Sequence, residues 1–289
     1  MKKQLGLTAP LLTATKWAFL MGAYSCLPLL LARRYAVETP GLLAGASAVL
    51  SFALALLIGF RVNAAYDRWW EARKLWGTLV NVSRNLAVKV RELQPAEPEE
   101  LQSIRNLIVA FSMGLKDHLR DEADLKRLPG FENDSASPIH LPSYIARRLY
   151  GVFGQWQAEG RLSDERLWVL DSEARILLDV CGACERIKTT LPSVSWRAFT
   201  RQSILAVLIL LPWALAASFG AWTVVLTMLI TYIVVAGEAI ARWVEEPFGR
   251  GEDHLDLEAI CEAIDRSVTE VLTAGDCRHL LGSLDSTSS

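Results

Sequence analysis

Formal charge is missing from three long stretches of this chain. Residues 17–32, 39–60 and 203–237 carry none, although charged residues make up 21% of the whole. A soluble fold rarely keeps so long a run free of charge, whereas a segment that crosses a bilayer requires one. The net charge is only −2, so there is no global basic field for nucleic acid. The five cysteines, at 26, 181, 184, 261 and 277, are odd in number and scattered. They do not form a secreted disulfide framework, and they suit a reducing compartment. Also absent are strand alternation, a glycine-rich phosphate loop, an internal repeat and any Ser/His/Asp or Cys/His arrangement. No enzyme is expected.

What is present is apolar length. Residues 41–60 suffice for one span of roughly 20 residues. Residues 17–31 are short and need Lys16 and Arg33 to snorkel. The basic start and Ala23-Tyr24-Ser25-Cys26 imitate a signal peptide, but the apolar run continues through Leu31, so a retained span is expected. Residues 203–237 as one helix would run about 52 Å at roughly 1.5 Å per residue, too long for one crossing. A turn near Ala216–Trp222, containing Gly220, divides them, with Pro212 inside the third span.

The expectation is therefore an all-α membrane protein with spans at about 16–32, 41–60, 203–218 and 222–241. Lys2, Lys3, Lys16, Arg61, Arg68 and Arg73, with others, flank one side, and Arg33 and Arg34 the other. The positive-inside rule then puts both termini, and residues 61–202 and 242–282, in the cytoplasm of a multi-pass plasma (inner) membrane protein. Those regions read as helical, at 61–93, about 99–121, 143–158, 163–189 and 255–274, with a polar loop at 131–143 and a frayed tail at 283–289.

Several constellations invite a functional reading. Phe52, Leu56 and Phe60 recur at i, i+4 and i+8 beside the small residues Gly45, Ala48 and Ala53. Copies of that face around an axis would give stacked apolar rings that gate by dewetting; by spacing alone, ordinary helix packing is favoured. The stretch RVNAAYDRWWEARKLWG (61–77) is a burst of charge and indole at a membrane exit, an interfacial belt with Glu71 able to pair Arg68 or Lys74. Cys181-Gly-Ala-Cys184 has no second CxxC and no histidine near it in sequence, so packing is preferred over redox or zinc chemistry. The acidic turn 245–254 lacks a calcium-loop pattern. Glu238 ends a charge-free run and needs a partner, with Arg201 and Arg242 as candidates.

Three stretches, GFRVNAAYDRWWEARKLWG (59–77), CERIKTTLPSVSW (184–196) and EEPFG (245–249), together with a helix opening LDLEAIC at Leu255, resemble the bestrophin family in its bacterial members, over about residues 1–275. The resemblance implies a homo-oligomeric ion channel, a pentamer with one axial pore and four spans per subunit, passing monovalent ions. It implies that Phe52, Leu56 and Phe60 form the pore neck, which reverses the preference for packing. Below the neck it implies a motif of Arg61, Asn63, Tyr66, Asp67, Arg68, Trp69, Glu71, Arg73 and Trp76. A lower aperture is also implied, with Leu162 and Leu167 as candidates. Animal members are calcium-activated chloride channels whose clasp follows Pro-Phe-Gly; here Arg250 and Gly251 replace its first acidic positions, so no cofactor is expected. Conduction of chloride-type anions is the family expectation. The uncharged neck leaves cation selectivity open, and a membrane-anchored, partner-binding scaffold is the alternative to conduction.

Overall fold

The structure is a computed structural model and describes residues 9–35, 41–94, 96–190, 193–251 and 254–273. The expected tail at 283–289 and the acidic pair Glu252–Asp253 lie outside the described residues. Among the described residues there is no strand. The order is α1 (Ala9–Tyr35), α2 (Gly41–Leu93), α3 (Pro98–Leu119), a 3-10 turn (Leu125–Arg127), α4 (Leu141–Ala158), α5 (Asp164–Thr189), α6 (Val194–Phe219), α7 (Trp222–Val244) and α8 (Leu257–Thr273).

The chain divides into two compact units. The first comprises residues up to Trp70 and Thr190–Pro247. Four helices are long and apolar enough to cross a membrane, within Pro10–Leu31, Ala48–Leu93, Val194–Ala216 and Trp222–Val244. The expected second span and the helix after it form one unbroken α2, because no proline or glycine follows Gly59 before Gly77. Gly220 takes φ 52°, donates its N–H to the Ala216 carbonyl and turns α6 into α7. This left-handed conformation strains residues with a Cβ. The unit's core joins Met21 of α1, Leu54 of α2, and Ile204, Val207 and Leu208 of α6. Gly22 lets α1 approach α7, since a Cβ there would stand 2.6 Å from the Met228 side chain. The Trp213 indole N–H donates to the Tyr24 hydroxyl at 2.8 Å.

The second unit comprises Glu71–Thr189 and the residues from Phe248 onward. Its core is fully buried Trp76, Leu79 and Leu86 from α2, Ile104, Ile108 and Phe111 from α3, Ile145, Phe153 and Trp156 from α4, and Ile264 and Val268 from α8. Pro98 opens α3, where Glu97 and Glu100 form a reciprocal capping box. His140 caps α4 by accepting the Ser143 N–H at 3.1 Å. The polar segment before α4 is loop, as expected, but α4 begins two residues earlier than the periodicity suggested, because the cap lies at His140.

Candidate functional site

In its N-terminal half α2 has two unlike faces. Leu54 is buried, and Leu57 and Ile58 pack against the same core. Phe52, Leu56 and Phe60 point elsewhere, exposed at 67%, 48% and 68%. No described residue of their own unit covers them. The stripe runs further than the three predicted residues. Counting about 100° per residue, Gly45 and Val49 precede it and Asn63 and Asp67 follow it on the same side, within about 20° of Leu56. Val49 is exposed, as are Gly45, Asn63 and Asp67. Ala53 and Gly59 flank the stripe and are exposed too, and a Cβ at Gly45 or Gly59 would meet nothing.

Immediately after Phe60 the chemistry changes. Arg61 is 3% exposed and turns inward. Its Nε donates to Glu238 Oε2 at 2.7 Å, and Nη1 and Nη2 donate to the Glu245 carboxylate at 3.4 and 3.2 Å. Arg242 approaches Glu238 from one helical turn away at 3.4 Å. So the intramembrane carboxylate foreseen at Glu238 has a partner, and Arg242 was a correct candidate, but the closer one is Arg61. Arg68 donates to the main-chain carbonyls of Glu245 at 3.3 Å and Thr190 at 2.5 Å. These bonds satisfy carbonyl groups where α7 ends and where α6 has yet to begin.

The rest of the motif falls into distinct roles. The rings of Tyr66, Trp69 and Trp70 stack at centroid distances of 6.2–6.4 Å. In the second unit Trp76 is fully buried core, and Arg73 is exposed. Glu71 pairs with Arg186 of α5 at 2.8 Å rather than with Arg68 or Lys74, because the α5 guanidinium faces it directly. The motif is therefore more than an interfacial belt: two of its arginines are built into the protein interior or into helix ends.

Also in the second unit, Phe248 is buried, and its carbonyl and that of Gly249 accept from Arg120 Nε and Nη2 at 3.0 and 3.1 Å. Arg120 also pairs with Glu258 of α8. A Cβ at Gly249 would come within 2.7 Å of the His254 ring, so only glycine fits this approach. Arg250 pairs with Glu122. The guanidinium of Arg120 thus gathers the oxygens of this turn.

Of the two aperture candidates, Leu162 is only 2% exposed and lies in the core of its own unit, and Leu167 is half-buried. The Cys181–Cys184 pair is free and buried, and burial pushes the Cys181 thiol up to about 12 and Cys184 still further. Neither thiol is disposed to redox or metal chemistry at neutral pH. The histidines absent from its sequence neighbourhood do appear beside it in space: His118 and His140 both contact Glu185.

The fold and site define an all-helical membrane protein with an exposed apolar stripe on α2 next to a buried ion-pair network. The bacterial/fungal bestrophin family model matches residues 11–270. A voltage-dependent anion channel-forming protein of Nostoc sp. is 33% identical over 234 residues, 78% of this chain and 76% of that protein. A Salmonella typhi protein of the same description is 32% identical over 224 residues, 75% of this chain and 73% of its own length. The crystal structure of a bacterial bestrophin homologue from Klebsiella pneumoniae superposes with a TM-score of 0.82 at 27% identity, covering 92% of this chain and 99% of that one. The chain belongs to the bacterial/fungal bestrophin family.

Proposed function

We propose that the protein is the subunit of a pentameric anion channel of the plasma membrane, with α2 lining the axis and Phe52, Leu56 and Phe60 forming a hydrophobic neck. The observation that carries this reading is the exposed stripe on α2. Large apolar side chains stand free on one face while their neighbours Leu54, Leu57 and Ile58 fill the core. Exposure to lipid alone would not call for the exposed small residues Gly45, Ala53 and Gly59 around that stripe. They let copies of α2 approach closely. Rings of Phe and Leu carry no charge and oppose ion passage by excluding water. Relatives named as anion channel-forming proteins support the ion class. The excess of basic residues beside one end of the spans supports cytoplasmic termini. Arg120, which donates to two carbonyls of the Pro-Phe-Gly turn, supports a turn closed without calcium.

The test is conduction by purified, assembled protein in planar bilayers. Replacing Phe52, Leu56 and Phe60 together by Ala widens and wets the neck and raises single-channel conductance. Unchanged currents from correctly assembled variant protein refute the neck assignment. A wild-type reversal potential at the potassium rather than the chloride value refutes anion selectivity.

A further inference from the structure

In the second unit, three side chains from different helices converge on one point. His118 comes from the last turn of α3, His140 caps α4, and Glu185 lies on α5. Glu185 Oε1 lies 2.6 Å from His118 Nε2 and 2.7 Å from His140 Nε2. The two imidazole rings stand 4.7 Å apart, centroid to centroid, inclined by 57°. All three are partly buried, with side-chain exposures of 24%, 37% and 33%. They are 67 and 45 residues apart in sequence, so no local pattern announces them.

We infer that His118, His140 and Glu185 form a binding site for a divalent transition-metal cation of the zinc type. Two imidazoles and a carboxylate are a zinc donor set that leaves a fourth position for water. The three donor atoms lie within 4.8 Å of one another. Zinc sits about 2.0–2.2 Å from such ligands, so a tetrahedral site wants them roughly 3.3 Å apart. The carboxylate oxygen must therefore withdraw from each imidazole by about 0.6–0.7 Å, which the soft terminal torsion of glutamate allows. The nearby cation, Lys188, is held by Asp121 at 2.6 Å.

Binding has a specific consequence for α4. His140 Nδ1 accepts the Ser143 N–H, so in the metal-free neutral ring the proton sits on Nε2, facing Glu185. A metal on Nε2 moves that proton to Nδ1 and breaks the cap. The Ser143 amide then loses its partner.

The test is equilibrium dialysis of the intact detergent-solubilised protein against zinc chloride, with cobalt(II) absorption as the geometric readout. The wild type takes up one zinc per chain. His118→Ala, His140→Ala and Glu185→Gln each weaken binding at least about 100-fold, beyond the about 10–100-fold that a partner outside the coordination sphere costs. Zinc also speeds hydrogen exchange at the Ser143 amide. Cys181→Ser/Cys184→Ser and His254→Ala bind as the wild type does. No uptake, or uptake that survives the three ligand variants, overturns the site. Should those variants fail to assemble, the wild-type cobalt spectrum decides. Tetrahedral bands without thiolate charge transfer support the site, and a thiolate band or the hydrated-ion spectrum overturns it.

Discussion

Arg61 and Glu238 meet at 2.7 Å with side-chain exposures of 2% and 9%, and Arg61 is the residue next after Phe60. The positive charge at the foot of the exposed stripe is thus spent inside the subunit, joining α2 to α7. Glu245 shares the same guanidinium. Removing Arg61 leaves the buried Glu245 carboxylate without this guanidinium and Glu238 with only the longer contact to Arg242; breaking a buried ion pair from one side costs about 3–5 kcal/mol. Arg61→Leu should lower the thermal unfolding temperature sharply and reduce assembled protein on size exclusion. Glu238→Gln should be milder, because Arg61 keeps Glu245. Equal stability of Arg61→Leu and wild type would refute the structural role given to this pair.

A second ion pair makes stability depend on pH. Two hydrogen bonds from Arg161, both 2.7 Å, hold the Glu100 carboxyl at about 2 against an ordinary 4.5; partial burial opposes them, and the Trp156 N–H adds to them at 2.9 Å. The folded state therefore releases this proton more readily than the unfolded chain. Its stabilisation is fully present above pH 4.5 and is lost as pH falls towards 2. Glu100→Gln should cost about 1–2 kcal/mol at neutral pH. In thermal melts the gap to wild type should narrow steadily below pH 4.5. A gap independent of pH would mean that packing, not charge, carries the effect.

Most of this fold was legible because its signals are local. Charge-free runs marked the spans, Gly220 marked the α6–α7 turn, and apolar periodicity gave α3, α4, α5 and α8 nearly to the residue. What was not legible depends on long-range pairing. Arg61 looked like a headgroup-facing residue, because its carboxylate partners lie 177 and 184 positions away. Glu71 offered short-range partners on its own helix, and only the placement of α5 shows that Arg186 takes it. The burial of Leu162 likewise depends on the packing of its unit, which an apolar residue in a polar stretch does not reveal. The stripe on α2 was visible as spacing. Its exposure against the burial of Leu54 needed the neighbouring helices.

Burial sets the behaviour of the cysteines. The Cys181 and Cys261 thiols are pushed up to about 12 and about 11 chiefly by desolvation. With Cys26 and Cys277 replaced by Ala, maleimide labelling of the native protein near neutral pH should be at least about 100-fold slower than for a free thiol of pKa about 8.5. It should reach completion on unfolding. Rapid native labelling of Cys181 or Cys184 would reopen a redox reading of that pair.

If α2 lines the axis as proposed, Asp67 makes the ion class of the pore sensitive to one side chain. It lies seven residues beyond Phe60, within about 20° of the same helix face, and it is exposed. In a ring of α2 helices it places a circle of carboxylates about 10 Å below the neck, at about 1.5 Å rise per residue. Such a ring attracts cations and repels anions, and rings of this kind set selectivity where the constriction itself is neutral. Asp67→Asn should therefore raise the anion-to-cation permeability ratio, and Asp67→Lys should raise it further. Lowering the ionic strength should enlarge both effects, since screening weakens. Reversal potentials under a KCl gradient measure the ratio directly. A ratio indifferent to the charge at position 67 would mean that this carboxylate does not face the conduction path, and would turn the α2 stripe away from the axis below Phe60.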